Sequence, residues 1–261
     1  MSMSLVLLIS FTVLVLLGVP ISVAIGSGAC IAIMIVKPFL IAMIPSMMYG
    51  ALDSFLLTAI PLFMLAGLVM EKGGTSQRIF DFASSLVGWM PGGLGAVNIL
   101  ASVIFGGISG SSVADAAGLG PIEISAMTKR GYPIGYSAAV TLASSTFSVV
   151  IPPSILMVLY AITAGQSVSA CLIAGLVPGL TLAVIMIGFN YVISRKNGWG
   201  GDVPLRFRTI GAEFKKSFFA LLTPIVLLWG VLGGVFTPTE AAAVAVLYVL
   251  IISLFIYREV G

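Results

Sequence analysis

The sequence contains no histidine, only two cysteines, and 8% charged residues over 261 positions. Without histidine there is no imidazole base to activate a nucleophilic serine. Cys30 and Cys171 both fall in apolar runs with no metal-ligand spacing around them, so they read as small apolar side chains and define neither a disulfide framework nor a redox compartment. The scarcity of charge excludes a soluble surface. At 59% hydrophobic residues and a mean hydropathy of +1.20, the uncharged runs exceed what a soluble core can hold. The net charge of +3 is dispersed between those runs, which excludes nucleic-acid recognition. Met1-Ser2-Met3-Ser4 lacks the positive leader and small-residue cleavage site of a signal peptide, so the first apolar run is expected to be a retained membrane segment.

What remains is an all-α polytopic membrane protein. A crossing takes about 20 apolar residues, so 5–36 gives two short crossings turned tightly near Gly18 to Pro20, and 55–70 gives one more, ending at Glu71-Lys72. The linker 37–53 lies on the side opposite that end. Gly73-Gly74, with Thr75 or Ser76 as cap, opens 77–90, where Ile79, Phe82, Ala83, Leu86 and Met90 recur opposite Arg78, Asp81 and Ser85. That pattern predicts an amphipathic helix in the interface. The run 94–127 has cations at both flanks, so the positive-inside rule returns it to its starting side. Its 34 residues are too few for two full crossings and suit a re-entrant hairpin. No charge occurs over 134–194, which divides into an interrupted helix, 136–163, and a plain one, 169–193. A basic cytoplasmic loop follows, then crossings 218–236 and 241–257. This topology sets every Lys and Arg except Lys37 on the cytoplasmic side and the N-terminus outside. The opening and closing pairs of crossings start on opposite sides, the pattern of an inverted repeat with its second copy beginning.

Two polar clusters interrupt the apolar runs: Gly107-Ile108-Ser109-Gly110-Ser111-Ser112-Val113-Ala114-Asp115, and Ser144-Ser145-Thr146 followed by Pro152-Pro153-Ser154. Pro152 and Pro153 cannot donate to the carbonyls of Ser148 and Val149, so the helix is predicted to break between 145 and 152. In hydrocarbon such a break persists only where it faces protein, water or an ion. Carbonyls and hydroxyls of Ser144, Ser145 and Thr146, and of Ser109, Gly110, Ser111 and Ser112 on a glycine-permitted turn, are hard oxygen ligands for a cation such as Na+. The alternatives are a small-xxx-small packing face at Gly106 to Gly110, a capping box Ser112-x-x-Asp115 that starts the returning helix, and hydroxyls of 144–146 bonded back to their own turn. Gly107-Ile108-Ser109-Gly110 also matches the motif of intramembrane serine proteases, which the missing histidine rules out. No pair of aspartates lies at membrane depth for an aspartyl protease. An enzyme is not expected.

These stretches, together with Ile60-Pro61-Leu62-Phe63-Met64-Leu65-Ala66-Gly67, Lys129-Arg130-Gly131-Tyr132 and Phe236-Thr237-Pro238-Thr239-Glu240-Ala241-Ala242-Ala243, run in the order found in the large membrane subunit of tripartite ATP-independent periplasmic (TRAP) transporters of the DctM type, which the chain resembles over almost its whole length. The resemblance implies an ion-transporter-like inverted-repeat elevator fold, the first repeat plus the start of the second. Residues 1–93 would be scaffold helices and an interfacial arm, 94–194 the transport half with its hairpin and broken helix, 195–216 a cytoplasmic loop, and 217–261 the first two helices of the second repeat. It further implies a bacterial inner-membrane importer of organic-acid anions such as dicarboxylates or sialic acid. Na+ would be the coupling ion with no other cofactor, and the partners a small DctQ-type membrane subunit and a DctP-type periplasmic binding protein. Tip and break would form one Na+ site and part of an anion site on Ser111, Asp115, Ser145, Pro152, Pro153 and Ser154. The chain departs from the family in carrying Ser148-Val149 where Gly-Pro is common, and in ending as the second half begins, so that the chain alone is expected not to transport. The non-TRAP alternatives are another ion-coupled organic-anion carrier and a membrane scaffold.

Overall fold

The computed structural model describes residues 2–53, 55–201 and 203–258, in two compact units, 1–54 and 55–261. In the first unit, α1 (Met3–Leu16) and α2 (Ile21–Val36) form a hairpin closed by Gly18 in the left-handed region and by Pro20. Their lengths correspond to about 21 and 24 Å, short of a full hydrocarbon core. Ser10 ties them together by donating to the Gly28 carbonyl at 3.2 Å. A 3-10 segment, Pro38–Met43, leads into α3 (Ile44–Leu52).

The second unit starts with a 3-10 turn, Phe55–Thr58, that runs into α4 (Ala59–Lys72). Then come α5 (Thr75–Val87), α6 (Gly93–Ser109), α7 (Ser112–Gly118), α8 (Gly120–Lys129), α9 (Ile134–Ser145), α10 (Ile155–Thr163), α11 (Val168–Asn197), α12 (Phe207–Leu232) and α13 (Pro238–Ile251), with a π-helical extension Ile252–Tyr257. Among the described residues, four helices are long and apolar enough to cross a membrane: Phe55–Lys72, Val168–Asn197, Phe207–Leu232 and Pro238–Tyr257. Their exposed Leu, Val, Ile and Phe side chains suit lipid, where no hydrophobic gain follows from hiding them.

Small residues set the closest helix pairs. Ala241, Ala242 and Ala245 bring α13 against Ala59, Phe63 and Ala66 of α4, all fully or almost fully buried. Thr237 and Glu240 start α13 with a complete capping box. α11 carries Pro178 inside the helix and faces the broken region with Gly175 and Gly179. A methyl on Gly179 would stand 2.7 Å from Ile151 Cγ1, and one on Gly175 would collide with the Val150 carbonyl. The break is seated in that glycine groove.

α5 begins and ends earlier than the expected 77–90. Its N-cap is Gly74 and its first residue Thr75, and it packs against α6 and α12 through Ile79, Phe80 and Ala83. Ser85, expected on the polar face, is buried and donates to the Phe82 carbonyl at 2.7 Å. Ser217 of α12 donates to the Arg78 carbonyl at 2.8 Å, and the Arg78 guanidinium lies 3.9 Å over the Tyr257 ring. Partial burial pushes the Asp81 carboxyl up, opposed by the 2.9 Å hydrogen bond from Gln77.

Candidate functional site

α6 has 17 residues, about 26 Å, and ends at Gly110, whose φ of +59° is open to glycine at no steric cost. The chain then returns through α7 and α8, which pack back along α6. Ser111, in extended conformation, caps α7 by accepting from Ala114 N at 3.3 Å. The cap is therefore one residue earlier than the Ser112-x-x-Asp115 box. Asp115 does not reach back to the cap: its Oδ2 accepts from Ser148 Oγ at 2.8 Å, a bond from hairpin to break that no local spacing announces.

The broken helix follows the same construction. α9 stops at Ser145, a 3-10 turn spans Thr146–Val149, and Pro152 and Pro153, joined by a cis peptide bond, carry the chain to Ser154. Ser154 caps α10 by accepting from Met157 N at 3.3 Å and donates to the Val149 carbonyl at 2.6 Å. The tip meets the break directly. Ile155 N donates to the Gly110 carbonyl at 3.2 Å, and a methyl on Gly110 would lie 2.5 Å from the Pro153 carbonyl oxygen. Gly106 approaches Ser148 as closely, with a built Cβ 2.6 Å from its Oγ. The Gly106–Gly110 stretch is thus a packing face and a turn at once.

Gly110, Ser111, Ser112, Val149, Ile155 and Leu156, with Met64 and Val113, line a cavity of about 230 Å³. The N-termini of α7 and α10, each capped by serine, both open on it. Ser109 is fully buried beside Gly67, whose built Cβ would be 3.2 Å from Ser109 Cβ. Of the second cluster, Ser144 turns inward, Ser145 Oγ donates to the Leu142 carbonyl at 2.9 Å, and Thr146 Oγ1 donates to the Ala143 carbonyl at 2.7 Å. Their hydroxyls are bonded back into the helix, and among 144–155 the residues nearest Gly110 are Pro153, Ser154 and Ile155.

Behind the cavity runs a polar seam absent from the sequence reading. Ser144 Oγ donates to Asn98 Oδ1 at 2.7 Å, Asn98 Nδ2 donates to Thr141 Oγ1 at 2.6 Å, and Ser102 Oγ donates to Ser144 Oγ at 3.1 Å. Asn98, Ser102, Ser144, Ser148 and Glu123 are each at most 1% exposed. The 3.6-residue spacing of Asn98 and Ser102 on α6 and of Thr141, Ser144 and Ser148 on the opposing chain was the available signal.

Hairpin, broken helix and polar seam in a chain with crossing-length apolar helices define a polytopic helical membrane protein of transporter type. The chain belongs to the family of the tripartite ATP-independent periplasmic transporter DctM component, whose family model matches residues 8–261. It is 43% identical over 209 residues to the sialic acid TRAP transporter permease protein SiaT of Haemophilus influenzae (strain 86-028NP), covering 80% of this chain and 34% of that protein. It is 40% identical over 211 residues to the sialic acid TRAP transporter large permease protein SiaM of Vibrio cholerae, 81% of this chain and 49% of that one. With the C4-dicarboxylate TRAP transporter large permease protein DctM of Pseudomonas aeruginosa it shares 36% over 236 residues, 90% and 55% of the respective chains. The chain thus spans a third to just over half of these relatives, and membership places it in the inner membrane as a multi-pass protein.

Proposed function

We propose that this chain is part of the large membrane subunit of a Na+-coupled, binding-protein-dependent TRAP importer of organic-acid anions, its relatives being named for sialic acid and C4-dicarboxylates. The observation that carries the reading is the meeting of Gly110 with Pro153 to Ile155 at a cavity onto which two serine-capped helix N-termini open. Such N-termini favour a carboxylate, while carbonyls freed by an αL turn and by a proline break favour a small cation. Ser109, Gly110, Ser111 and Ser112 from the tip, with Ser144, Ser145 and Thr146 from the broken helix, are the proposed Na+ ligands. Ser111, Asp115, Ser145, Pro152, Pro153 and Ser154 are proposed to face the anion. Each Na+ moving inward down about 100 mV contributes about 2.3 kcal/mol before its concentration gradient is counted. A small DctQ-type subunit and a DctP-type binding protein complete the proposed assembly.

The test is uptake of labelled sialate and C4-dicarboxylate by the full-length permease with its small subunit in proteoliposomes. Uptake that requires both an inward Na+ gradient and the binding protein supports the reading; uptake driven equally well with choline in place of Na+, or without the binding protein, defeats it.

A further inference from the structure

Among the described residues, no cationic side chain acts on the two carboxylates of the seam. Glu123 of α8 is 0% exposed and Asp115 of α7 is 1% exposed, and both Glu123 oxygens and Asp115 Oδ1 have no hydrogen-bond partner. The charge that acts on Glu123 is that of Asp115, a like charge. From the other packed elements the two carboxylates are faced by neutral groups, Ser102 of α6, Ser148 of the break and Thr141 of α9, while Glu71 of α4 lies against Gly118. Removing one carboxylate from water without a partner costs several kcal/mol, and a second of the same sign adds to that cost. Two carboxylates kept dry, with nothing but the neutral hydroxyls of Thr141, Ser102 and Ser148 bearing on them among the described residues, make a site for a positive charge.

We propose that Glu123, with Asp115 Oδ1 and the Thr141 hydroxyl beside it, forms a second monovalent-cation site behind the hairpin tip; through Asp115, which it shares with the proposed anion site, it rests on that reading, while Glu123 and Thr141 belong to it alone. The charge is monovalent because no group of three acidic, cysteine or histidine side chains gathers among the described residues to hold a divalent ion. Close packing favours the smallest occupant: a methyl on Gly120 would already lie 3.3 Å from Thr141 Cγ2, and one on Gly118 3.5 Å from Phe105 Cζ. A proton and Na+ share the required chemistry. Since Glu123 is on the returning arm of the hairpin and Thr141 on the broken helix, an occupant fastens one to the other.

The experiment uses the full chain in lipid nanodiscs. Infrared spectra are recorded in Na+-free buffer, and 22Na+ binding is measured in parallel, for wild type, Glu123→Gln, Glu123→Asp and the tip variant Ser111→Ala. A proton occupant gives a protonated-carboxyl band, shifted by D2O, that Glu123→Gln removes, Glu123→Asp moves and Ser111→Ala leaves. A Na+ occupant gives 22Na+ binding that falls in Glu123→Gln and survives in Ser111→Ala. Either result supports the site. An unchanged band and unchanged 22Na+ binding in Glu123→Gln overturn it. So does a full loss of Na+ binding in both Gln and tip variants with no carboxyl band, which would leave one site only.

Discussion

Ser148 is the residue whose contact reaches furthest beyond its local sequence. Its hydroxyl supplies the hydrogen bond to Asp115, 33 positions away. Ser148→Ala removes the hydrogen bond to Asp115 Oδ2 in a dry site, and we expect a loss of about 1–3 kcal/mol, read as a lower midpoint in SDS unfolding; an unchanged midpoint would show that the bond carries no stability. Gly110→Ala combines an αL penalty of about 1–2 kcal/mol with a methyl 2.5 Å from the Pro153 oxygen. It should speed hydrogen exchange across 150–155 and abolish Na+-dependent uptake by the full permease; retention of both wild-type properties would separate the tip from the break. A serine cap at the start of the returning helix was expected, but set one residue late. Ser111 and Ser112 are both competent acceptors, and only the extended backbone at 111 decides between them.

At the level of the element, hydropathy located the apolar runs and proline located the break, because both act on the backbone locally. It did not locate the partners. Asn98 and Glu123 lie within the run 94–127, where one amide and one carboxylate barely alter a hydropathy average, and their neighbours arrive from α9, 43 positions from Asn98 in the case of Thr141. α5 illustrates the same limit, since a moment along a helix cannot say whether protein or lipid covers its apolar face. Two predictions belong here. Gly179→Leu should overpack the α11 groove against Ile151, costing about 1–3 kcal/mol, with faster proteolysis near 150–154 as the readout. Asp81 is raised above its ordinary 3.8 by burial, so its contribution to stability is present below that value and is lost as pH rises through the raised one. Asp81→Asn should flatten the unfolding midpoint across that window; a wild-type pH profile in the variant would assign the effect elsewhere.

At the largest scale, the unit 55–261 combines four helices of crossing length with a hairpin and a proline-broken helix, and the hairpin tip and the break meet at one cavity. If Na+ and the anion bind there as proposed, each should raise the affinity for the other by the same factor, since coupling between two sites is reciprocal. Titrating Na+ binding to the full permease at increasing sialate or dicarboxylate, and the anion at increasing Na+, checks this; independent affinities would count against a shared site. The sequence by itself determined the membrane class, the apolar runs, the proline break and the family resemblance, since these follow from local composition, backbone chemistry and ordered motifs. Tertiary structure alone decided that Asp115 answers to Ser148, that Gly110 rests on Pro153, and that Glu123 is dry and unpaired, because burial and long-range contact exist only once separate helices are packed together.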